Sequence, residues 1–249
     1  MKSLGWFIIG LCAGAAGAQS LNIDLAPQAG IPSASYAGMG LPGVWNDATG
    51  ADAGNLRGLD GLGTGASLGG TFSIFPFMLD DPGTSGDVAA LLDDGAWGAG
   101  DVLLHLSVNG LDAGVYDVYV YGLAGGMPQE RTLFEVGNGY GLTGGAYGGT
   151  LVEGLTHAHF TVQVGASGII SIGIAGGIWG QSGYFNGLQL VFDPCLADSN
   201  RDGVLNFFDV QLFLSRFAAQ DPRADLTFDG VYNFPDVQRF LGLFSAGCP

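Results

Sequence analysis

The stretch GVYDVYVYG, Gly114–Gly122, alternates along its length and is closed at both ends by glycine. A period of two sends successive side chains to opposite faces of a strand, and valine and tyrosine suit a pleated surface. Working outward, similar short runs occur at Gly70–Met78, Val102–Val108, Arg131–Val136, His157–Val164, Gly168–Ala175 and Gly187–Phe192. Asn109-Gly110 and Gly165-Ala166 stand between such runs as turn signals. Only Asp87–Asp94 offers a short turn of helix. The spacing predicts a mainly β chain over residues 19–192, an antiparallel β-sandwich or jelly roll.

Composition supports a packed core. Hydrophobic residues make up 47% of the 249 residues, which argues against disorder. Glycine is abundant at 46 residues but has no three-residue period, which excludes a collagen-like rod. The formal net charge is −16, and the one lysine is Lys2. So acidic a chain is not a general binder of nucleic acid or anionic membranes.

The first eighteen residues differ from the rest. Lys2 precedes an apolar run from Trp6 to Ala13, and Ala16-Gly17-Ala18 stands before Gln19. This is the pattern of a secretory signal with an A-x-A cleavage site, and its apolar stretch is too short to span a membrane. A lipoprotein signal at Cys12 fits less well, because Leu11 stands where a small residue is expected. The expectation is a secreted protein, extracellular or at the cell surface, with no membrane span.

The C-terminal end carries one twelve-residue loop twice. DSNRDGVLNFFD runs from Asp198 to Asp209, and DLTFDGVYNFPD runs from Asp225 to Asp236. In each, oxygen-bearing side chains fall at positions 1, 3, 5, 9 and 12, with glycine at position 6. Calcium takes six to eight oxygens, and glycine permits the sharp turn around the ion. Asp198–Phe217 and Asp225–Phe244 are identical at twelve aligned positions, so duplication is the better account. Val210, Phe213, Leu214 and Phe217 form an apolar helical stripe after the first loop. Val237, Phe240, Leu241 and Phe244 repeat it after the second. Leu205 and Tyr232 stand at loop position 8, where each can pack between paired loops. One loop and one helix cannot hide an apolar face alone; two packed together can.

Paired loop–helix units with Asp at position 12 resemble dockerin domains, the small α-helical, EF-hand-like calcium modules of extracellular carbohydrate-active assemblies. Cys195-Leu196-Ala197-Asp198 at the start and Gly247-Cys248-Pro249 at the end resemble the Gly-Cys-ended variant of planctomycete secreted proteins. The likeness covers residues 193–249. It implies two Ca2+ sites. The first would use Asp198, Asn200, Asp202, Asn206 and Asp209, with the carbonyl of Val204. The second would use Asp225, Thr227, Asp229, Asn233 and Asp236, with the carbonyl of Val231. Two departures stand out. Thr227 is a weaker ligand than the usual Asn or Asp. Phe207-Phe208 and Phe234-Pro235 replace the small hydroxyl residues at which cohesin is recognised, which points to a cohesin-like or other surface-protein partner rather than a standard cohesin. The alternative is that these aromatics only fill the module's core.

Beyond the signal only Cys195 and Cys248 remain, bracketing this module. In an oxidising compartment they invite a disulfide, which would contribute about 4 kcal/mol in the chain-entropy model. The alternative makes Cys248 an anchoring or processing site, and the family frame permits either.

The β-region offers little for catalysis. Its glutamates are Glu130, Glu135 and Glu153, and its histidines are His105, His157 and His159. Glu130 and Glu135 have odd spacing on one strand, which sends them to opposite faces; a glycosidase needs two carboxylates across one cleft. His157 and His159 share a face as a candidate metal pair, although such a pair is more often a plain solvated strand face. Trp45, Trp97 and Trp179 lie in glycine-rich segments and are candidate glycan contacts, with plugging of the sandwich ends as the rival role. Tyr184–Phe192 resembles the last strand of galactose-binding-like jelly rolls. Together these readings predict a non-catalytic component of an extracellular assembly whose β-domain binds polysaccharide. One alternative is a polysaccharide-degrading enzyme drawing carboxylates from Asp80-Asp81 or Asp93-Asp94. Another is a structural surface or adhesion protein.

Overall fold

The alternating stretch at the centre of the chain is a strand flanked on both sides. The computed structural model describes residues 19–49, 53–70, 75–98, 104–177, 182–200 and 202–247. In chain order the strands are β1 (Leu21–Leu25), β2 (Trp45–Ala48), β3 (Ser67–Gly70), β4 (Phe75–Met78), β5 (Asp94–Gly98), β6 (Leu104–Asn109) and β7 (Gly114–Tyr121). Then follow β8 (Thr132–Val136), β9 (Gly139–Thr143), β10 (His157–Val164), β11 (Ile169–Gly176), β12 (Gly183–Phe185) and β13 (Gly187–Phe192). The helices are α1 (Gly86–Leu92), α2 (Phe207–Ala218) and α3 (Phe234–Ala246).

Two five-stranded sheets carry most of the chain, ordered β10-β7-β13-β1-β2 and β3-β6-β11-β8-β9, with a small third sheet β12-β5-β4. Tyr116, Val118, Val120, Ile23 and Leu188 of the first sheet meet Leu106, Val108, Phe134, Ile172 and Ile174 of the second in one core. Each such side chain contributes about 1.5–3 kcal/mol when fully buried. The chain is therefore mainly β with antiparallel sheets, as its period-two runs predict. One pair departs from that pattern: β2 runs parallel to β1, with Asp24 opposite Asp47. The expected short helix is α1, and β10 and β13 have the expected bounds. Gly70–Met78 divides between the end of β3 and β4, and residues 71–74 lie outside the described ones.

The far face of the first sheet is covered too. Tyr121 packs with Trp45, Leu91, Leu92 and Leu123 in a second cluster, and Tyr119 lies against it. Gln189 pins this cover. Its Oε1 accepts from Met39 N–H (3.1 Å), Gly40 N–H (3.0 Å) and the Tyr121 hydroxyl, while its Nε2 donates to Asn22 Oδ1 at 2.8 Å. A strand patterned as half-exposed is thus buried on both faces.

After β13 the chain enters a second core. Phe213 of α2 stacks on Phe240 of α3 with ring centroids 4.1 Å apart and planes 6° apart. Ala197, Ala224 and Leu226 close around them. Val210, Phe217, Val237 and Phe244 join this cluster as the stripe predicts. Leu214 and Leu241 do not: each is about half exposed. Two helices share one narrow seam, and a stripe four residues wide exceeds what it can cover. Leu205 packs against the cluster, whereas Tyr232 is half-buried outside it.

Candidate functional site: two carboxylate loops

Each loop folds its own amides onto its own carboxylates. In the first, Asp198 accepts from Asp202 N–H (3.2 Å) and Gly203 N–H (2.7 Å). Asp209 reaches back from α2 to accept from Asn200 N–H at 3.2 Å and Asn206 N–H at 2.9 Å. Asp202 accepts from Val204 N–H at 2.9 Å. The second loop repeats this set. Asp225 accepts from Asp229 N–H (3.3 Å) and Gly230 N–H (2.7 Å). Asp236 accepts from Thr227 N–H and Asn233 N–H, both at 3.0 Å. Asp229 accepts from Val231 N–H at 2.8 Å.

The glycine at position 6 turns with φ of 80° at Gly203 and 77° at Gly230, a backbone that favours glycine. Asp198, Asp209, Asp225 and Asp236 are buried, the two helix-borne ones completely. The amide bonds and the hydroxyl of Thr227 hold the Asp236 carboxyl below its usual range although burial alone would raise it. Inward-turned carboxylates with amide and hydroxyl oxygens beside them are the donor chemistry of a hard cation. No group of three or more His, Cys, Asp or Glu forms a metal-holding cluster among the described residues. Each loop's remaining oxygens would therefore come from Asn200 and Asn206, or Thr227 and Asn233, and from Val204 and Val231.

The loops differ in their side-chain bonds. Asn206 Oδ1 accepts from Phe208 N–H at 2.8 Å and caps α2. The matching residue of the second loop is Pro235, which has no N–H. Asn233 Oδ1 is consequently buried without a partner and available to an ion. Thr227, the weaker ligand by type, donates its hydroxyl to Asp236 at 2.9 Å.

The aromatics at loop positions 10 and 11 do not fill the core: Phe207, Phe208 and Phe234 are 73%, 66% and 70% exposed. Cys195 donates its N–H to Asp193 Oδ1 at 2.9 Å, while Cys248 lies outside the described residues, as do Trp179 and the signal segment.

In the sandwich, Trp45 is buried under Tyr36 with its indole N–H donated to the Tyr36 carbonyl at 3.2 Å. It has no free face for a sugar, which corrects the expectation for that residue. Trp97 is half-buried on β5, its ring 5.8 Å from that of Phe75, which is 55% exposed. His157 and His159 do share a face, but both are engaged. His157 meets the Thr156 hydroxyl at 3.1 Å, and His159 meets Asp117 at 3.1 Å while stacking on Tyr119. Asp93 accepts from the Thr84 hydroxyl, and Asp81 from Gly83 N–H, so both serve local turns. Glu135 meets the Tyr140 hydroxyl at 3.3 Å, and Glu130 accepts from Ser182 N–H at 3.3 Å.

One residue absent from the sequence candidates stands out. Asp24 is wholly buried on β1, and burial, followed by the charges of Asp94 and Asp47, pushes its carboxyl up to about 9. Burial also raises Asp94, to about 6, against the lowering effect of its backbone hydrogen bonds. An Asp between Ile23 and Leu25 on an unremarkable short strand gives no signal of this in the sequence.

No family model matches the chain, and no curated protein matches it. Solved structures give distant likenesses. One is Bacteroides uniformis beta-glucuronidase 2, at 11% identity and a TM-score of 0.41, covering 70% of this chain and 18% of that one. Another is the plant receptor-like kinase ANX2, at 15% identity and a TM-score of 0.41, covering 70% and 47%. A third is the CBM36-1 domain of a multidomain xylanase from the hindgut metagenome of Trinervitermes trinervoides, at 14% identity and a TM-score of 0.28, covering 50% and 95%. The chain spans less than half the length of the first two. At such similarity these likenesses say nothing of what the chain binds.

Proposed function

We propose that this chain is a secreted, non-catalytic component of an extracellular or cell-surface assembly, in which residues 193–249 form a dockerin-like module that binds two Ca2+ and attaches the protein to a partner. The bond-for-bond repetition of the two loops carries this reading. In both, two buried carboxylates are turned inward by the same four amides. The exposed Phe207, Phe208 and Phe234 suit an apolar surface on a cohesin-like or other surface protein rather than a hydroxyl-reading one. A Cys195–Cys248 bridge closing the module belongs to the same proposal.

Calorimetric titration tests it. The native chain takes up calcium at the loops, and Asp209→Asn with Asp236→Asn together remove that uptake. Undiminished calcium binding by the double variant would sink the assignment of the loops.

For the sandwich we infer polysaccharide binding at the end formed by β4, β5 and β12, where Trp97 and the exposed Phe75 offer flat apolar faces to sugar rings. Affinity electrophoresis of the full chain through soluble polysaccharides, with reducing ends assayed in parallel, tests this. Retardation without cleavage, weakened at least several-fold by Trp97→Ala, is the expected outcome. Release of reducing ends would turn the reading to an O-glycosyl hydrolase. Neither retardation nor release would favour a structural surface protein.

A further inference from the structure

Where β1 meets the start of β5, the fold buries two carboxylates and gives them no counter-charge. Asp24 and Asp94 are both fully buried. Asp94 Oδ2 accepts the N–H groups of Gln28 and Ala29. Its Oδ1 and both oxygens of Asp24 have no hydrogen-bond partner. Asp24 stands opposite Gly187 in the β1–β13 register and Asn186 Nδ2 donates to the Asp94 carbonyl at 2.7 Å, so both residues flank the Asn186-Gly187 step. The negative charge of Asp94, and less so that of Asp47 on β2, adds to burial in raising the Asp24 carboxyl. Neither Asp24 nor Asp94 has an Arg or His ion pair among the described residues.

Elsewhere this sheet satisfies its buried polar groups with care. On the same face of β1, Asn22 donates to the Leu41 carbonyl at 3.0 Å and accepts from Gln189. Asn186, also wholly buried, donates to the carbonyls of Leu92 (2.9 Å) and Asp94 (2.7 Å) and accepts from Leu123 N–H. Against that surrounding, three unpartnered oxygens on two neighbouring carboxylates mark a missing partner. Leaving a buried charge uncompensated costs several kcal/mol.

We propose that Asp24 and Asp94 hold a calcium ion inside the β-sandwich, where β1 meets the start of β5. The donors are hard oxygens, which excludes the softer metals that seek thiolate or imidazole. Calcium suits them better than magnesium, because it accepts irregular sets of carboxylates and carbonyls whereas magnesium keeps several waters. The ion would tie β1 to the start of β5, whose Asp94 is wrapped by Gln28 and Ala29. It is separate from the C-terminal loops and stands whether or not they bind metal.

The test uses the full chain carrying Asp209→Asn and Asp236→Asn, so that the loops no longer contribute. After dialysis against trace calcium, bound metal is counted by mass spectrometry, and melting is followed in calcium and in chelator. The expected result is one bound calcium per chain and a melting temperature that rises with calcium. Adding Asp24→Asn, which keeps the side chain's size and removes its charge, should abolish both; Asp94→Asn should act alike. A loop-deficient chain that binds no calcium overturns the proposal without recourse to any sandwich variant. So does a correctly folded Asp24→Asn protein, judged by far-ultraviolet circular dichroism, that keeps its ion.

Discussion

His157 is a buried side chain whose ordinary titration lies near neutral pH. It sits on β10 against Tyr119 and Tyr121, and burial lowers its pKa below the ordinary histidine value, outweighing the opposite effect of Glu153. The folded chain therefore holds a neutral imidazole where the unfolded chain takes a proton near about 6.5. The associated stability is complete above that value and is lost as pH falls from there through the lowered folded value. The His157 contribution to melting temperature should accordingly shrink on acidification below about pH 6.5, against the opposite effect of Asp94, whose raised carboxyl favours the folded state as pH falls. His157→Gln, which retains a polar group for Thr156, should remove that contribution, so the variant gains melting temperature relative to the native chain as pH falls. An unchanged profile would show that the imidazole is protonated in the fold as well. At this scale the sequence told half the story: the spacing of His157 and His159 gave their shared face, but Tyr119 and Thr156, which occupy both rings, are brought in by register and turn geometry. The same holds for Asp24, whose isolation is made with Asp94 of β5, distant from β1 in sequence.

Among the elements, α2 and α3 depend on each other through a single stack. Phe213 and Phe240 are the two large buried aromatics of the module, face to face at 4.1 Å. Truncating a buried phenylalanine costs about 3–5 kcal/mol, and a core this small has little to spare. Phe213→Ala should therefore remove the helical signal of residues 207–246 even in calcium, while Leu214→Ala, at an exposed position, should leave it. Equal tolerance of both would mean that ion binding alone holds the helices. The helices were legible because their period repeats over two turns in duplicate. β7, β10 and β13 were legible because they are long and rich in β-branched and aromatic residues. β5 (Asp94–Gly98), β9 (Gly139–Thr143) and β12 (Gly183–Phe185) were not, since each is short and glycine-bearing and gains strand geometry from its neighbours. β1 was missed for another reason. Its Asn22 and Asp24 are polar residues on a buried strand, and the cover that buries the far face of its sheet comes from elsewhere in the chain.

Taken whole, the molecule has two cores whose stabilities rest on different physics. The sandwich buries continuous apolar surface between two five-stranded sheets, whereas the C-terminal module surrounds one small cluster with eight inward-turned carboxylate oxygens. These meet at modest contacts: Gln163 of β10 donates its amide to the Asp225 carbonyl at 2.5 Å, and Asp193 N–H donates to Val115 at 2.8 Å. Without a cation, the carboxylates of each loop repel one another, held by backbone amides and, at Asp236, the Thr227 hydroxyl, and metal-binding free energy is folding free energy in sites of this kind. Excess chelator should therefore split calorimetric unfolding into two transitions, with the α2–α3 signal lost at low temperature. The strand signal should persist, its own transition lowered only by loss of the ion proposed at Asp24 and Asp94. Calcium should restore the module in proportion to its concentration, because a ligand bound only by the folded state stabilises by mass action. Superimposable melts with calcium and with chelator would mean that the loop amides alone compensate the carboxylates, and the calcium reading of both sites would fall together.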